Sequence, residues 1–592
     1  MVSRGVAPKQ PRLAARAAIW LVAGSLVAGC ATLPESGPVV QETAVAQTEG
    51  RDTTLFTPPG PGKGESPEEI VNGFMVAMQA NPASASTARR FLSRSARTTW
   101  NPEQSTIVYD ARAVDAVPAG VQVLLSNAVR LDSRGGWQGR VADGSNRLTF
   151  GVRRERGEWR ITNPPNALIL PASDFSARYA PYTLYFVDET LKQLVPERVY
   201  LARGADTVSS LVRALLGGPG ARLRLVAHSE FSPDTTLGLS VLVGADGSVE
   251  VPLSEQVRQL PPDRLQRGIA QLAWTLGQIS GLRRLTITVG DQQVPLPDGS
   301  VDVSIERPGG PTPLVAGTGD LFALRNGRLV RFKTTPEPVN GPFGRPGFAL
   351  GSFGVNLPGD KVAAVSVDRR VVFIGPLEGR ASGRRVYTGT RVLKPVYDRF
   401  GGLWLIDRTA QGAKVVLIRG GQSRVVSIEG ISGSRASGFA VSRDGTALAA
   451  VINPRKGSPK VVLATIRRNA EGRVTGVTPA WPQPGAQPDV VDLRWVAFSS
   501  SADLILMGST ESGDTRVLLT TIDGSPGRAD AIQPDLQRGR AKELVVLSGT
   551  QPATTSSILV LTAAGSLAQL ADDGRWEATE SPGRLTAFSF AG

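Results

Sequence analysis

From about Leu314 to Gly592 the chain alternates short apolar runs with polar turns, and this repetition restricts the fold more than any other feature of the sequence. Gly438-Phe439-Ala440-Val441 enters the turn Ser442-Arg443-Asp444-Gly445 and leaves it as Thr446-Ala447-Leu448-Ala449-Ala450-Val451. Ala363-Ala364-Val365-Ser366-Val367-Asp368 repeats the pattern, as does Trp495-Val496-Ala497-Phe498-Ser499 followed by Leu504-Ile505-Leu506-Met507. Apolar runs this short, bounded by turns, read as strands. Roughly 280 residues at ~40 to 50 per unit predict a β-propeller of about six or seven blades. Such a ring protects its strand edges by closing on itself, and its faces present loops suited to gripping a partner. Within it, Trp404 in Gly402-Leu403-Trp404-Leu405-Ile406-Asp407 either lines a ligand face or packs between blades.

A chain of 592 residues exceeds what one core usually organises, so further domains are expected before the repeats. With 66 glycines and 43 prolines, turns should be many and long helices few. Between roughly Tyr182 and Ile305, Leu184-Tyr185-Phe186-Val187 reads as a strand. Asp206 is placed to cap a helix carrying Val208, Leu211, Val212 and Leu215, which stops at Gly217-Gly218-Pro219. Leu239–Val243 and Ser248–Val251 flank Asp246-Gly247, a hairpin signal. Leu265, Ile269, Leu272 and Leu276 form the stripe of an amphipathic helix ending near Gly281, before the strand Leu285–Val289.

This order of elements, with Ala214-Leu215-Leu216-Gly217-Gly218-Pro219 and Gln271-Leu272-Ala273-Trp274-Thr275-Leu276, resembles the GerMN domain of sporulation and germination proteins. The resemblance implies a small α/β module for assembly and interaction. Trp274 is then either a contact residue or part of the core, where an indole on an apolar helix usually sits.

Ahead of it, Ser66-Pro67-Glu68-Glu69 carries a capping box with Pro at the first helical position, and Ile70, Phe74 and Met78 follow at intervals of four. A second helical stretch around Arg89 to Leu92 precedes extended segments, including Arg147–Val152 and Glu158–Ile161 joined by a turn with Gly157. Helices first and a curved antiparallel sheet after them is similar to the nuclear-transport-factor-2 fold, an analogy of fold alone. The chain therefore reads as multidomain: two α+β domains and an all-β propeller. The expected boundaries are 1–29 leader, 30–64 tether, 65–172 first domain, 173–310 GerMN-like domain and 311–592 propeller.

At the amino end, Arg4, Lys9, Arg12 and Arg16 precede an apolar run from Ala17 to Gly29, too short to span a bilayer but suited to an export signal. It ends in Val27-Ala28-Gly29-Cys30, which resembles the lipobox of bacterial lipoproteins. The resemblance implies cleavage before Cys30 and its conversion to an N-palmitoyl, S-diacylglycerol cysteine. That places the protein on the outer, extracytoplasmic face of the cell membrane. Cys30 is the chain's one cysteine, so no intramolecular disulfide and no cysteine-rich zinc site can form. Residues 31 to 64, rich in Pro, Gly, Thr, Gln and Glu, read as a spacer.

Removal of residues 1–29 takes away four positive charges and no negative ones, so the formal +14 of the whole chain becomes +10. That balance suits anionic head groups or acidic wall polymers, and equally an ordinary solvated surface; nucleic acid is not expected outside the cell. No Walker A, GxGxxG, GxSxG or HExxH pattern is present, and a Ser-His-Asp triad would have to use His228, the chain's one histidine. His228 lies in Ala227-His228-Ser229-Glu230, read as a loop. No catalytic, cofactor or metal residues are expected, and the chain reads as a binding module, not an enzyme.

A lipobox, a helix-then-sheet domain, a GerMN domain and a propeller in this order resemble the LpqB family of actinobacterial lipoproteins over nearly the whole chain. The resemblance implies a regulator that binds the extracellular sensor domain of the Mtr two-component histidine kinase and modulates its signalling, with outputs in wall homeostasis, cell division and drug tolerance. An alternative is a module binding peptidoglycan or another wall glycan. A third reading, ranked last, is a propeller hydrolase or lyase of wall glycans, which would require clustered carboxylates on one propeller face.

Overall fold

The computed structural model describes residues 56–592 except 82–83, 314–316, 333–335, 485–489, 527–534, 537–540, 548–556, 572–574 and 580–582. Val27, Ala28, Gly29 and Cys30 lie outside the described residues, as does the tether up to residue 55. No helix among the described residues is long and apolar enough to cross a membrane.

The first domain opens where its capping box does. Ser66 Oγ accepts the Glu69 amide at 3.2 Å and the Glu69 carboxylate accepts the Ser66 amide at 2.7 Å, which starts the helix Pro67–Ala77. Such a cap contributes ~1 kcal/mol. The helix buries Ile70, Val71, Phe74 and Met75, and Met78 caps its end, buried as well. The short helices Ser86–Arg90 and Arg94–Thr99 follow, the second capped by Ser93 and absent from the sequence reading. The expected strand Arg147–Val152 is divided at Gly151. Arg147–Phe150 joins a three-stranded sheet with Gly120–Ser126, whereas Val152–Glu155 pairs with Glu158–Ile161 across the Arg156-Gly157 turn. A side chain at Gly151 would meet Thr162 and Asn163, which crowd the bend.

The second domain is built on the antiparallel ribbon Tyr179–Asp188 and Leu194–Ala202, whose ten- and nine-residue strands are the longest it contains among the described residues. Asp206 stands at the cap of the helix Thr207–Leu216, but its side chain does not cap; Thr207 Oγ1 instead bonds the carbonyls of Ala202 and Gly204. The amphipathic helix Pro262–Leu276 buries Leu265, Ile269, Leu272 and Leu276 as expected, and ends at Gly277 rather than near Gly281. It connects Ser248–Pro252 to the parallel strand Arg284–Val289. The hairpin at Asp246-Gly247 forms, yet its first strand shrinks to Leu242–Val243. Ser209 takes the Val241 amide and Arg213 takes the Leu239 carbonyl, drawing that backbone out of the sheet and leaving Leu239 94% exposed.

The carboxy-terminal region is a ring of six sheets among the described residues, each holding a path of four strands. Blades 1 to 5 start with Leu350–Val355, Val396–Tyr397, Ala436–Val441, Asp492–Phe498 and Ala541–Leu547. In blade 6 the last strand of the chain, Leu585–Phe590, pairs with Leu321–Arg325, so the end of the propeller closes on its beginning. Closure turns the unpaired edge of each inner strand toward the channel, where another chain cannot readily pair with it. The same one-residue shift interrupts the inner strands of blades 1, 3, 4, 5 and 6, between Leu350 and Ser352, Ala436 and Gly438, Leu493 and Trp495, Ala541 and Glu543, and opposite Leu324/Arg325. A bulge of this kind adds local twist and re-aims the following side chain. The polar turns after the inner strands are held by side chains. Asn356 Oδ1 accepts the Asp360 and Lys361 amides, Asp398 Oδ1 those of Phe400 and Gly402, and Asp444 Oδ1 that of Thr446.

Candidate functional site

His228 sits at the end of the second domain's central sheet, opposite Val187. Its Nε2 lies 3.3 Å from Glu230 Oε1 and its Nδ1 3.9 Å from Glu189 Oε1. A catalytic triad needs an imidazole between a hydroxyl and a carboxylate. Here both ring nitrogens face carboxylates, and these contacts activate no nucleophile. Glu230 is buried beneath Arg267, whose Nε and Nη2 reach it at 2.9 and 3.2 Å. Burial pushes its carboxyl upward, but hydrogen bonds from His228 and Arg267 outweigh it and hold the group below its ordinary range.

Both tryptophans singled out in the sequence serve packing. Trp274 is half-buried and meets Tyr185 edge-on at 6.3 Å, beside Val187 and Leu194. Trp404 is fully buried, and its Nε1 donates to Asp398 Oδ2 at 2.9 Å. The same oxygen accepts Arg468 Nη2 at 2.9 Å, and Phe400 lies against the guanidinium groups of both Arg399 and Arg468. Among the described residues no group of three or more His, Cys, Asp or Glu side chains is arranged to hold a metal.

The three domains meet on the ribbon. From the first domain, Arg134 places Nη1 2.8 Å from both Glu197 Oε2 and the Gly218 carbonyl, while its Nη2 is held 2.9 Å from Asp132. Glu197 also accepts the Gly220 amide at 3.0 and 3.1 Å. A β-carbon on Gly220 would fall 2.3 Å from that carboxylate, so the close approach requires glycine. Burial alone would lower the Arg134 guanidinium, yet Glu197 and Asp132 raise it above its usual value. Alongside, Trp137, Phe175, Tyr179 and Tyr200 form an aromatic seam, with Phe175 stacked on Tyr179 at 4.8 Å. On the other side, the Tyr200 hydroxyl donates to the Pro526 carbonyl of the propeller, and Arg198 pairs with Asp503 at 2.7 Å. Arg222 lies over the Trp481 ring at 4.9 Å.

The propeller encloses a central cavity of about 490 Å³, walled by the inner strands of its blades. Lys394 and Glu543 stand at matching positions in blades 2 and 5, opposite each other in the ring of six. Lys394 Nζ crosses the cavity to Glu543 Oε1 at 2.6 Å and to the Phe588 carbonyl at 2.8 Å, while Glu543 Oε2 accepts the Phe588 amide. The other charged side chains on the wall are Arg369, Arg399, Arg443 and Lys542, so five cations face one carboxylate. Among the described residues this wall carries one carboxylate, already bonded to lysine, where glycoside cleavage uses a pair.

Three family models match in series. They are the Lipoprotein LpqB N-terminal domain over residues 60–176, sporulation and spore germination over residues 183–295, and the Lipoprotein LpqB beta-propeller domain over residues 327–581. The chain belongs to the LpqB lipoprotein family. Lipoprotein LpqB of Streptomyces coelicolor is 27% identical over 88% of this chain and 90% of its own. That of Cutibacterium acnes is 24% identical over 95% and 97%. Both names are those of a lipoprotein, and neither is that of an enzyme. The solved first GerMN domain of the sporulation protein GerM from Bacillus subtilis aligns over 97% of its length and 21% of this chain, at 20% identity and a TM-score of 0.18.

In this LpqB-family chain the pairs that join the domains or cross the channel could not be named from sequence. Arg134 and Glu197 are separated by 63 positions, and Lys394 and Glu543 by 149. The accessible signal was Gly217-Gly218-Pro219, read as a helix stop; the next residue, Gly220, extends a run of small residues that another domain approaches closely.

Proposed function

We propose that this LpqB-family lipoprotein is a membrane-anchored regulator. Acylated Cys30 holds it on the extracytoplasmic face, where it binds the sensor domain of the Mtr two-component histidine kinase and modulates its signalling in wall homeostasis, cell division and drug tolerance. The observation that supports a regulatory binder is the interlock on the ribbon, where Tyr200, Arg198 and Glu197 are bonded to propeller and first domain alike. Domains fixed to one another offer a composite surface at little ordering cost. Two proteins tethered to one membrane also meet at a high effective concentration, so modest contacts suffice. To change signalling, the lipoprotein must bind one kinase state better than the other.

The test is titration of the purified chain, carrying Cys30→Ala to keep it soluble, against the isolated sensor domain, with isolated cell wall as the parallel ligand. Saturable binding to the sensor that survives moderate salt, and a changed autophosphorylation rate in reconstituted membranes, is the expected result. Binding to wall alone would discard the kinase reading in favour of retention on an acidic wall polymer, a second reading favoured by the excess of cations in the propeller channel.

A further inference from the structure

The channel wall sets two arginines from neighbouring blades side by side. Arg399 and Arg443 occupy equivalent positions in adjacent blades, each one residue beyond the side chain that opens the turn after the inner strand, Asp398 and Ser442. Asp188, Asp398 and Asp444 lie near enough to act on Arg399. Asp398 is engaged by Trp404, Arg468 and two turn amides, and Asp444 uses Oδ1 for Ser442 and Thr446 while its buried Oδ2 makes no hydrogen bond among the described residues. Burial outweighs these attractions and holds the Arg399 guanidinium below its usual value; burial lowers Arg443 as well. Nη1 of Arg399 is buried and makes no hydrogen bond among the described residues. A guanidinium donor withdrawn from water without an acceptor is costly, and an incoming anion would supply one.

Elsewhere on the wall, Trp495, Phe498 and Phe590 provide aromatic surface, and Lys542 adds a further cation. Lys394 does not compete for ligand, since Glu543 and Phe588 already hold it.

We infer that the propeller channel is a binding site for an organic anion, a carboxylate or phosphate group on a sugar-sized body, with Arg399 and Arg443 receiving the anion and the aromatic wall receiving the rest. A cavity of about 490 Å³ has the size of a small-ligand pocket. Guanidinium groups match the planar or tetrahedral oxygens of such anions better than point charges do. The site is independent of the kinase reading, because it is defined by the channel wall alone. The anion is either free or carried on a polymer chain, and these sources are separable by experiment.

Calorimetric titration of the intact chain with glucose 6-phosphate and with galacturonate tests the site, glucose serving as the neutral control and polygalacturonate as the polymer-borne form. Saturable binding of at least one anion and none of glucose is expected, weakened about tenfold or more by Arg399→Gln or Arg443→Gln. Lys542→Gln, on an exposed residue whose loss should leave the fold intact, is expected to weaken binding about two- to threefold. Binding of polygalacturonate alone, abolished by Arg443→Gln, would keep the site and assign it to a polymer. Failure of every anion to bind the folded wild-type chain overturns the inference. So does binding that Arg399→Gln, Arg443→Gln and Lys542→Gln all leave unchanged.

Discussion

The ribbon junction and the propeller channel both concentrate arginine, but they treat it in opposite ways. At the junction Arg134 is matched by Glu197, Asp132 and a backbone carbonyl, and its guanidinium is stabilised in the charged form. In the channel Arg399 keeps a buried nitrogen without an acceptor among the described residues, and burial destabilises its charge. A fully matched buried ion holds two surfaces in one register, because removing either partner strands the other. A buried donor left without an acceptor costs stability, and a ligand that supplied the acceptor would remove that cost. The contrast separates charge used to assemble the molecule from charge used to recognise a ligand.

The largest effect should follow from breaking the matched site. Glu197→Ala leaves Arg134, 11% exposed at its side chain, with Asp132 as its one carboxylate partner among the described residues beside the Gly218 carbonyl, and removes the acceptor of the Gly220 amide. A loss of about 3 kcal/mol in urea unfolding is expected, with faster amide exchange across residues 132–136 and 217–220. If stability falls by less than about 0.5 kcal/mol, the junction is not the clamp described.

Next in size is the strap across the channel. Lys394→Met strands Glu543, whose side chain is 6% exposed, and should cost about 2 kcal/mol. Adding Glu543→Gln should recover about half of that, because a neutral amide can still meet the Phe588 backbone. A double variant less stable than Lys394→Met would show that the two side chains do not act as a pair.

A smaller effect is expected at Glu230, a buried acid held by Arg267. Its folded carboxyl lies below its ordinary range, since His228 and Arg267 outweigh burial. The group therefore stabilises the fold above the carboxylate's unfolded value, near 4.5, and that contribution is lost as pH falls through the depressed folded value. Acid titration followed by circular dichroism should show a shallower acid limb for Glu230→Gln than for the parent chain. Identical limbs would mean the ion pairs are not formed in solution.

These sites also mark how far the sequence could be read. The Ser66 capping box and the stripe Leu265, Ile269, Leu272, Leu276 were legible because their partners lie within a turn or two of the same helix. The alternation of strands and turns disclosed the propeller, since closing a ring needs only that each unit repeat. What stayed hidden depends on groups far along the chain. Leu239–Val243 has the pattern of a strand, yet Ser209 and Arg213, from the preceding helix, capture its backbone. Arg147–Val152 reads as one strand and serves two sheets because Gly151 bends against Asn163. Trp404 read more readily as a packing residue than as part of a ligand face, but the partners that hold it, Asp398 six residues earlier and Arg468 sixty-four later, were not visible. The shared bulge of the inner strands leaves no residue signature, since Gly351, Ser437, Arg494, Lys542 and Thr586 have no common chemistry.

The smallest expected effect tests the unmatched side of the contrast most directly. Arg369 and Lys542 are exposed cations on the channel wall, and neither is bonded to a carboxylate among the described residues. If the cationic excess serves recognition, Lys542→Gln and Arg369→Gln should leave the unfolding free energy within about 0.5 kcal/mol of the parent. Relief of repulsion among like charges would even favour a slight gain, fading as salt screens the wall. Urea unfolding at low and moderate ionic strength decides it. A loss of about 2 kcal/mol or more, as large as that expected from breaking the Lys394–Glu543 pair, would place these cations among the groups that hold the ring together and erase the distinction between the two regions.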